Sequence, residues 1–259
     1  MVRPTHGAGS VARQNALKPH HAVDCGTMSL LDIIGPVMVG PSSSHTAGAC
    51  RIALLARHTL GETPKRAHFI LHGSFAKTAH GHGTDLALTA GTLGAAPDDP
   101  MIATAFDAAA KAGLGIEFST RDLGDVHPNT VSIELEGDHE RITLMGSSLG
   151  GGMVRVFEVQ HFRIDFSGSQ PTLLLRHIDT PGVIARVARV IADDDVNIAT
   201  LTSARRKRGG EAMMSIEIDR PLTPPASGYL RHLRFITWMR ELPDVMGNEP
   251  IPESPTVAP

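Results

Sequence analysis

The chain is poor in cysteine: its 259 residues hold two, Cys25 and Cys50. A small secreted domain stapled by disulfides would carry many more, so the count points to a reducing, cytoplasmic setting. Aromatics are also scarce, with one Trp, one Tyr and eight Phe. That argues against single-stranded nucleic-acid binding, in which bases stack on aromatic platforms. The formal net charge is only −3, so no global field draws the chain to nucleic acid or anionic lipid. No apolar run approaches the ~18 residues a membrane span needs. Several motifs are missing as well. No Gly-Lys-Ser/Thr follows a glycine-rich loop, which removes the Walker phosphate loop. The Gly-x-Ser-x-Gly elbow of many serine hydrolases is absent. His80 and His82 stand two apart, a spacing that suits no helical zinc pair.

What is present suggests two modest domains of roughly 100–150 residues each. The hydrophobic fraction of 41% is ordinary for a globular chain. Residues 1–27 show no periodicity and carry Arg3, Arg13 and Lys18 against Asp24, which reads as a disordered tail. Ordered pattern starts at Met28. Residues 29–39 read as a short buried segment, and residues 45–60 repeat apolar side chains at helical spacing up to Gly61. Residues 66–72 suggest a strand, 73–84 a glycine-rich loop, 85–93 a helix and 100–113 an Ala-rich helix. Strand-like runs follow at 115–119, 130–136, 140–145, 153–159 and 161–166, with a hairpin turn at Gly137-Asp138.

"SGSQP" at 167–171 marks a linker. Beyond it the pattern restarts as strand (172–177), helix (with Val183, Val187, Val190 and Ile191 on one face), strand (198–204), strand (211–219) and helix (229–241). "RRKRGG" reads as a solvated hairpin tip. The expected last strand, near 245–251, carries Pro250, and residues 250–259 read as a flexible tail. The fold class is therefore α+β: a mixed sheet-and-helix domain over 28–168, then a ferredoxin-like βαββαβ domain over 169–249.

Four polar clusters punctuate the first domain: "GPSSSHTAG" (40–48), "HGSFAKTAHGHGTD" (72–85), "HPNT" (127–130) and "GSSLGGG" (146–152). Each has a plain structural explanation. Ser43 or Ser44 can cap the following helix, the histidines can be exposed loop residues, Pro128 and Asn129 supply turn geometry, and the glycines can mark a bulge or close approach. The chemical alternative is that hydroxyls and helix N–H groups at 40–48 hold a carboxylate or phosphate, and that an imidazole beside them moves a proton.

In one order along the chain, "SLLDIIGPVMVGPSSSHTAGACRI", "HGSFAKTAHGHGTD", "HPNT" and "SLGGG" resemble the β subunit of the bacterial iron–sulfur-dependent L-serine dehydratase, or L-serine ammonia-lyase. The resemblance runs from about Met28 to the end of the second domain. The segment "LLLRHIDTPGVIARVARVIADDDVNIATLTSARRKRGGEAMMSIEID" resembles an ACT domain, a small ligand-sensing fold. The first domain also resembles the intervening domain of some D-3-phosphoglycerate dehydrogenases. The resemblance implies deamination of L-serine to pyruvate and ammonia on a [4Fe–4S] cluster. Such a cluster needs three or four cysteines, so it is expected on the cysteines of an α-subunit partner. The implied catalytic residues are His45 and His82, with Ser43, Ser44, Thr46, Gly83 and Thr84 around the substrate. Which histidine is the base stays open. His80 departs from the family's usual lysine before "GHGT", so no charge is carried over to that position. In the second domain, Asp179, Gly182 and Asn197 stand where ACT domains often receive an amino acid, and ACT pairing into a homodimer is a further expectation. The competing class is a non-catalytic serine sensor. It differs in predicting serine binding by calorimetry and no activity with any partner, so that His45→Ala costs no turnover.

Overall fold

A computed structural model describes residues 38–79 and 81–247. The tails at 1–27 and 250–259, most of the segment 29–39, and His80 lie outside them. The first element opens at Ser42, whose Oγ accepts the His45 N–H at 3.2 Å and caps a π-helical turn, Ser43–Ala47. The cap is thus Ser42, not Ser43 or Ser44. The turn runs straight into α1 (Gly48–Leu60), which ends on Gly61 in the left-handed region at φ 75°. β1 (Arg66–Leu71) follows. The segment expected to be loop then forms a short helix, α2 (Gly73–Thr78). Its first N–H groups find an acceptor outside the helix, the Pro128 carbonyl, and Phe75 buries itself completely, so tertiary partners outweigh the glycine-rich composition.

α3 (Thr84–Leu93) starts from Gly83. The Ala-rich stretch is divided into a 3₁₀ turn, Pro100–Thr104, capped by Asp99, and α4 (Ala105–Ala112). β2 (Gly115–Thr120), β3 (Thr130–Glu136), β4 (Arg141–Gly150), β5 (Met153–Val159) and β6 (Phe162–Phe166) complete a six-stranded sheet of order β2-β1-β3-β4-β5-β6. Only β1 and β2 run parallel; the other neighbours are antiparallel. α1 lies on β3, β4 and β5, and α3 packs on α1. β4 reaches further than the sequence pattern suggests, to Gly150. Register shifts at Met145/Gly146 and Ser148/Gly150 absorb the small residues there.

The second unit consists of β7 (Thr172–Ile178), α5 (Val183–Asp193), β8 (Ile198–Arg205), β9 (Glu211–Ile218), α6 (Pro224–His232) and β10 (Ile236–Leu242). Its sheet, β10-β7-β9-β8, is antiparallel throughout. The βαββαβ order is ferredoxin-like, as expected, but its end differs from the sequence reading. Pro224 and Pro225 start the helix early. Residues 236–242 leave it to become the last strand, where Ile236, Thr237 and Trp238 suit a pleated surface.

Strand alternation explains the unbroken apolar run of β7. Leu173 and Leu175 face α5 and α6, with Met214 and Ile216 of β9. Leu174 and Met213 point the other way, into the core of the first domain, where Leu242 and Val245 join them. The "SGSQP" stretch is a short connection fastened to the second unit: Ser167 donates from N and Oγ to Glu217 Oε1 at 2.8 and 2.6 Å, and the Gly168 carbonyl accepts from Val245 N.

Candidate functional site

The π-helical turn sets His45 among hydroxyls. Such turns within helices often mark functional sites. His45 Nδ1 lies 3.3 Å from Ser42 Oγ and 3.2 Å from Ser44 Oγ. Its Nε2 lies 3.0 Å from Ser74 Oγ on α2. Phe75 meets the imidazole edge-on at 5.5 Å between centroids, and the His82 ring stands 5.1 Å away. Burial first, and the neighbouring His82 second, lower the His45 pKa, so the ring favours its neutral form. Thr46 Oγ1 donates to the His82 carbonyl at 3.2 Å and so ties the serine-rich turn to the "GHGT" loop. Gly83 takes φ 68°, a backbone shape suited to glycine, and opens α3 with Thr84 as its first residue.

His45, Ser44, Thr46, His82, Gly83 and Thr84 therefore come together from two separated motifs. Ser43 takes part through its carbonyl, which accepts the Gly48 N–H. Thr84 Oγ1 is fully buried and has no hydrogen-bond partner among the described residues, and the same holds for Ser148 Oγ. Ser148 packs on the turn so closely that a Cβ on Gly48 would overlap its hydroxyl.

Two further residues belong to the cluster. Ser42 was hidden among three consecutive serines, and Ser74 lay in a stretch that read as loop. "HPNT" is the scaffold for this arrangement. The Pro128 carbonyl accepts the Ser74 N–H at 2.8 Å, and the Asn129 carbonyl accepts the Ser148 N–H at 2.9 Å. "GSSLGGG" contributes Ser147, whose Oγ pairs with Thr130 Oγ1 at 2.6 Å, and the Gly152 carbonyl, which accepts from the buried Arg51 at 2.7 Å.

Asp179, Gly182 and Asn197 lie in the second unit, apart from this cluster. Gly182 opens α5 at φ 85°, and Asn197 is exposed just before β8. The Asp179 carboxylate is occupied: Oδ2 accepts from Gly209 N and from Arg205 Nη1, each at 3.1 Å. Those two bonds hold its pKa below the ordinary carboxylate range. A cavity of about 410 Å³ opens elsewhere on the first domain, between Arg66, His68, Glu117, Glu134 and Arg141. It does not include His45, and the cluster of hydroxyls and imidazoles is the stronger candidate for chemistry.

Among the described residues, no group of three or more His, Cys, Asp or Glu is arranged to hold a metal ion. Cys50 does not suit an iron–sulfur cluster. It is fully buried and donates its thiol to the Ala95 carbonyl, and burial pushes its pKa up to about 12. A cluster ligand must be a thiolate.

Comparison with known proteins bears on the same motifs. The family model "Serine dehydratase beta chain" matches residues 29–113, a span that includes His45, Ser74 and His82, and the "ACT domain" model matches 172–226. The L-serine dehydratase beta chain of Peptoniphilus asaccharolyticus is 43% identical over 199 residues, covering 75% of this chain and 89% of that protein. The chain belongs to the L-serine dehydratase beta-chain family. A second member, the probable L-serine dehydratase beta chain of Bacillus subtilis, is 44% identical over 191 residues, covering 74% of this chain and 87% of its own. Outside the beta-chain family, D-3-phosphoglycerate dehydrogenase of Bacillus subtilis is 36% identical over 110 residues, 42% of this chain and 21% of that enzyme. The beta-chain family thus accounts for the order of motifs, and the ACT match for the ferredoxin-like second unit.

Proposed function

We propose that the chain is the catalytic β partner of a cytoplasmic two-chain enzyme that converts L-serine to pyruvate and ammonia. In this reading a [4Fe–4S] cluster is held by cysteines of an α subunit, whose existence the beta-chain naming of the relatives implies. The cluster would supply Lewis acidity to the substrate. The observation that carries the reading is His45: a half-buried imidazole, biased toward its neutral form, fixed among hydroxyls and next to a second imidazole.

A neutral imidazole is suited to take the α-proton of serine. The hydroxyls of Ser43 and Ser44 and the N-terminus of α3 beside Gly83 are suited to a small carboxylate, while Thr46, whose hydroxyl is given to the His82 carbonyl, and Thr84, whose N–H is given to the Ala79 carbonyl, hold the two motifs around it. Loss of the α-proton and of the side-chain hydroxyl as water leaves 2-aminoacrylate, which water converts to pyruvate and ammonia. His82, beside His45, is suited to passing a proton to or from it. Asp179, Gly182 and Asn197 serve as the regulatory ligand site in this reading, with Arg205 exchanged for the ligand's ammonium.

The test is anaerobic reconstitution. The isolated chain is expected to carry no cluster and no activity, and mixing with an α subunit is expected to yield pyruvate from L-serine. His45→Ala should then lower turnover by about 10²–10⁴-fold, the usual worth of general acid–base catalysis. Full turnover with His45→Ala would remove His45 as the base, and a pair with no turnover that still binds L-serine would favour the sensing role.

A further inference from the structure

Ser74 brings a hydroxyl to the His45 cluster from α2, and its side chain and main chain have separate tasks. The main chain holds the helix. Ser74 N donates to the Pro128 carbonyl, and the Ser74 carbonyl accepts from Thr78 Oγ1 at 2.8 Å. The hydroxyl instead meets His45 Nε2 at 3.0 Å, across 29 residues of sequence. On the other side of the ring, Nδ1 faces both Ser42 and Ser44. Ser42 Oγ already accepts the His45 main-chain N–H, so its proton is free for Ser44 or for Nδ1. Two hydroxyls within reach of Nδ1 leave that side with alternative pairings. Among the described residues Nε2 has a single hydroxyl, seated on a helix that the "HPNT" turn anchors. A neutral imidazole donates from one nitrogen and accepts at the other, and the partner of each nitrogen selects the tautomer.

We propose that Ser74 is a positioning residue for His45: its hydroxyl, through Nε2, fixes the rotation and tautomer of the imidazole that faces the substrate. Phe75, the next residue, limits ring tilt through its edge contact. The "HPNT" turn thereby acquires a role in the reaction without touching the substrate, because it sets where the Ser74 hydroxyl stands. The kinetic part of this claim rests on the function proposed above, whereas the structural part does not.

The experiment uses the full chain labelled with ¹⁵N-histidine, in wild-type, Ser74→Ala and Ser74→Thr forms. Long-range ¹H–¹⁵N correlation reads the ring nitrogens, and a His45→Gln spectrum assigns His45. The expected result is that Ser74→Ala shifts both ring nitrogens of His45, that Ser74→Thr restores them, and that His68, bonded to Ser119, is unmoved. In the pair reconstituted with an α subunit, Ser74→Ala should lower kcat by up to about 10²-fold, the scale of a misplaced catalytic group. KM should be little changed, and Ser74→Thr should recover most of the rate. If Ser74→Ala does not fold, as read by circular dichroism, Ser74→Cys takes its place, with a similar shape and a weak hydrogen bond. Unmoved His45 nitrogens in a folded hydroxyl-less variant overturn the proposal, as does a kcat loss that threonine fails to repair. If the wild-type pair makes no pyruvate, the proposed reaction fails, and the ring-nitrogen result still decides the role of Ser74.

Discussion

His45 owes its chemistry to its surroundings. Burial and the charge of His82 both oppose its protonation, so its pKa lies below the ordinary 6.5. In the unfolded chain the group returns to about 6.5, so between the two values the unfolded state binds more protons and stability rises with pH. The contribution is complete above about 6.5 and is lost as pH falls through the folded value. His58, also lowered mainly by burial, adds to the same trend. If His45 is the base, the rate of the reconstituted enzyme should fall on the acid side, below 6.5. His82→Gln removes the like charge and should move that limb to higher pH. A limb that stays put in kcat–pH profiles would break the electrostatic link between the two rings. Cys50 gives a second residue-scale prediction. With its thiol buried and held near a pKa of about 12, Cys50→Ala should cost only about 1 kcal/mol of core packing. The reconstituted pair should keep its iron content, measured by iron and sulfide analysis. Lost iron would mean that this chain supplies a ligand.

At the scale of elements, α1 and α3 are held together at one point of close approach. A Cβ on Gly91 of α3 would run into the Cys50 carbonyl of α1, so the helices touch backbone to backbone there. Gly91→Ala is expected to cost about 1–3 kcal/mol through overpacking, seen as a lower midpoint in thermal or urea unfolding. Because α1 begins at the His45 turn and α3 at Gly83, the same change should slow turnover in the reconstituted pair. Most strands were legible in the sequence because one buried face makes apolar residues alternate, as in β3 and β5. α1 and α5 were legible because their apolar stripes follow the helical period and Gly61 and Gly182 bound them. α2 was not, because its stability comes from a carbonyl 54 positions away, at Pro128, and from the burial of Phe75. β10 was missed for a related reason: its pairing with β7 outweighs a helix-like pattern that continues from α6. The candidate site was legible as motifs but not as contacts. Histidines and hydroxyls mark the loops, whereas the meeting of Ser74 with Nε2 depends on tertiary geometry that no local pattern records.

At the scale of the molecule, the second unit grips the helix that carries the His45 turn. Arg240 of β10 donates from Nε to the Thr59 carbonyl and from Nη2 to the Leu60 carbonyl, both at 3.1 Å. It also pairs with Glu140 at 3.2 Å and lies over the Trp238 ring. A cation at the last carbonyls of a helix satisfies its orphan acceptors and opposes its dipole. Near the other end of α1, Arg51 donates to the Met246 carbonyl at 3.1 Å, from the segment that follows β10. The helix is thus held near both ends by the chain around β10. Arg240→Ala should cost about 1.5–3 kcal/mol, the worth of hydrogen bonds to a charged group. Arg240→Lys should recover only part of this, since an ammonium cannot reproduce the planar fork. Hydrogen exchange should quicken in the last turn of α1 and in β10, with β3 unaffected. If exchange in Arg240→Ala rises equally across both sheets, the effect is global destabilisation. If it stays confined to α1 and β10, Arg240 couples the two units locally through that helix.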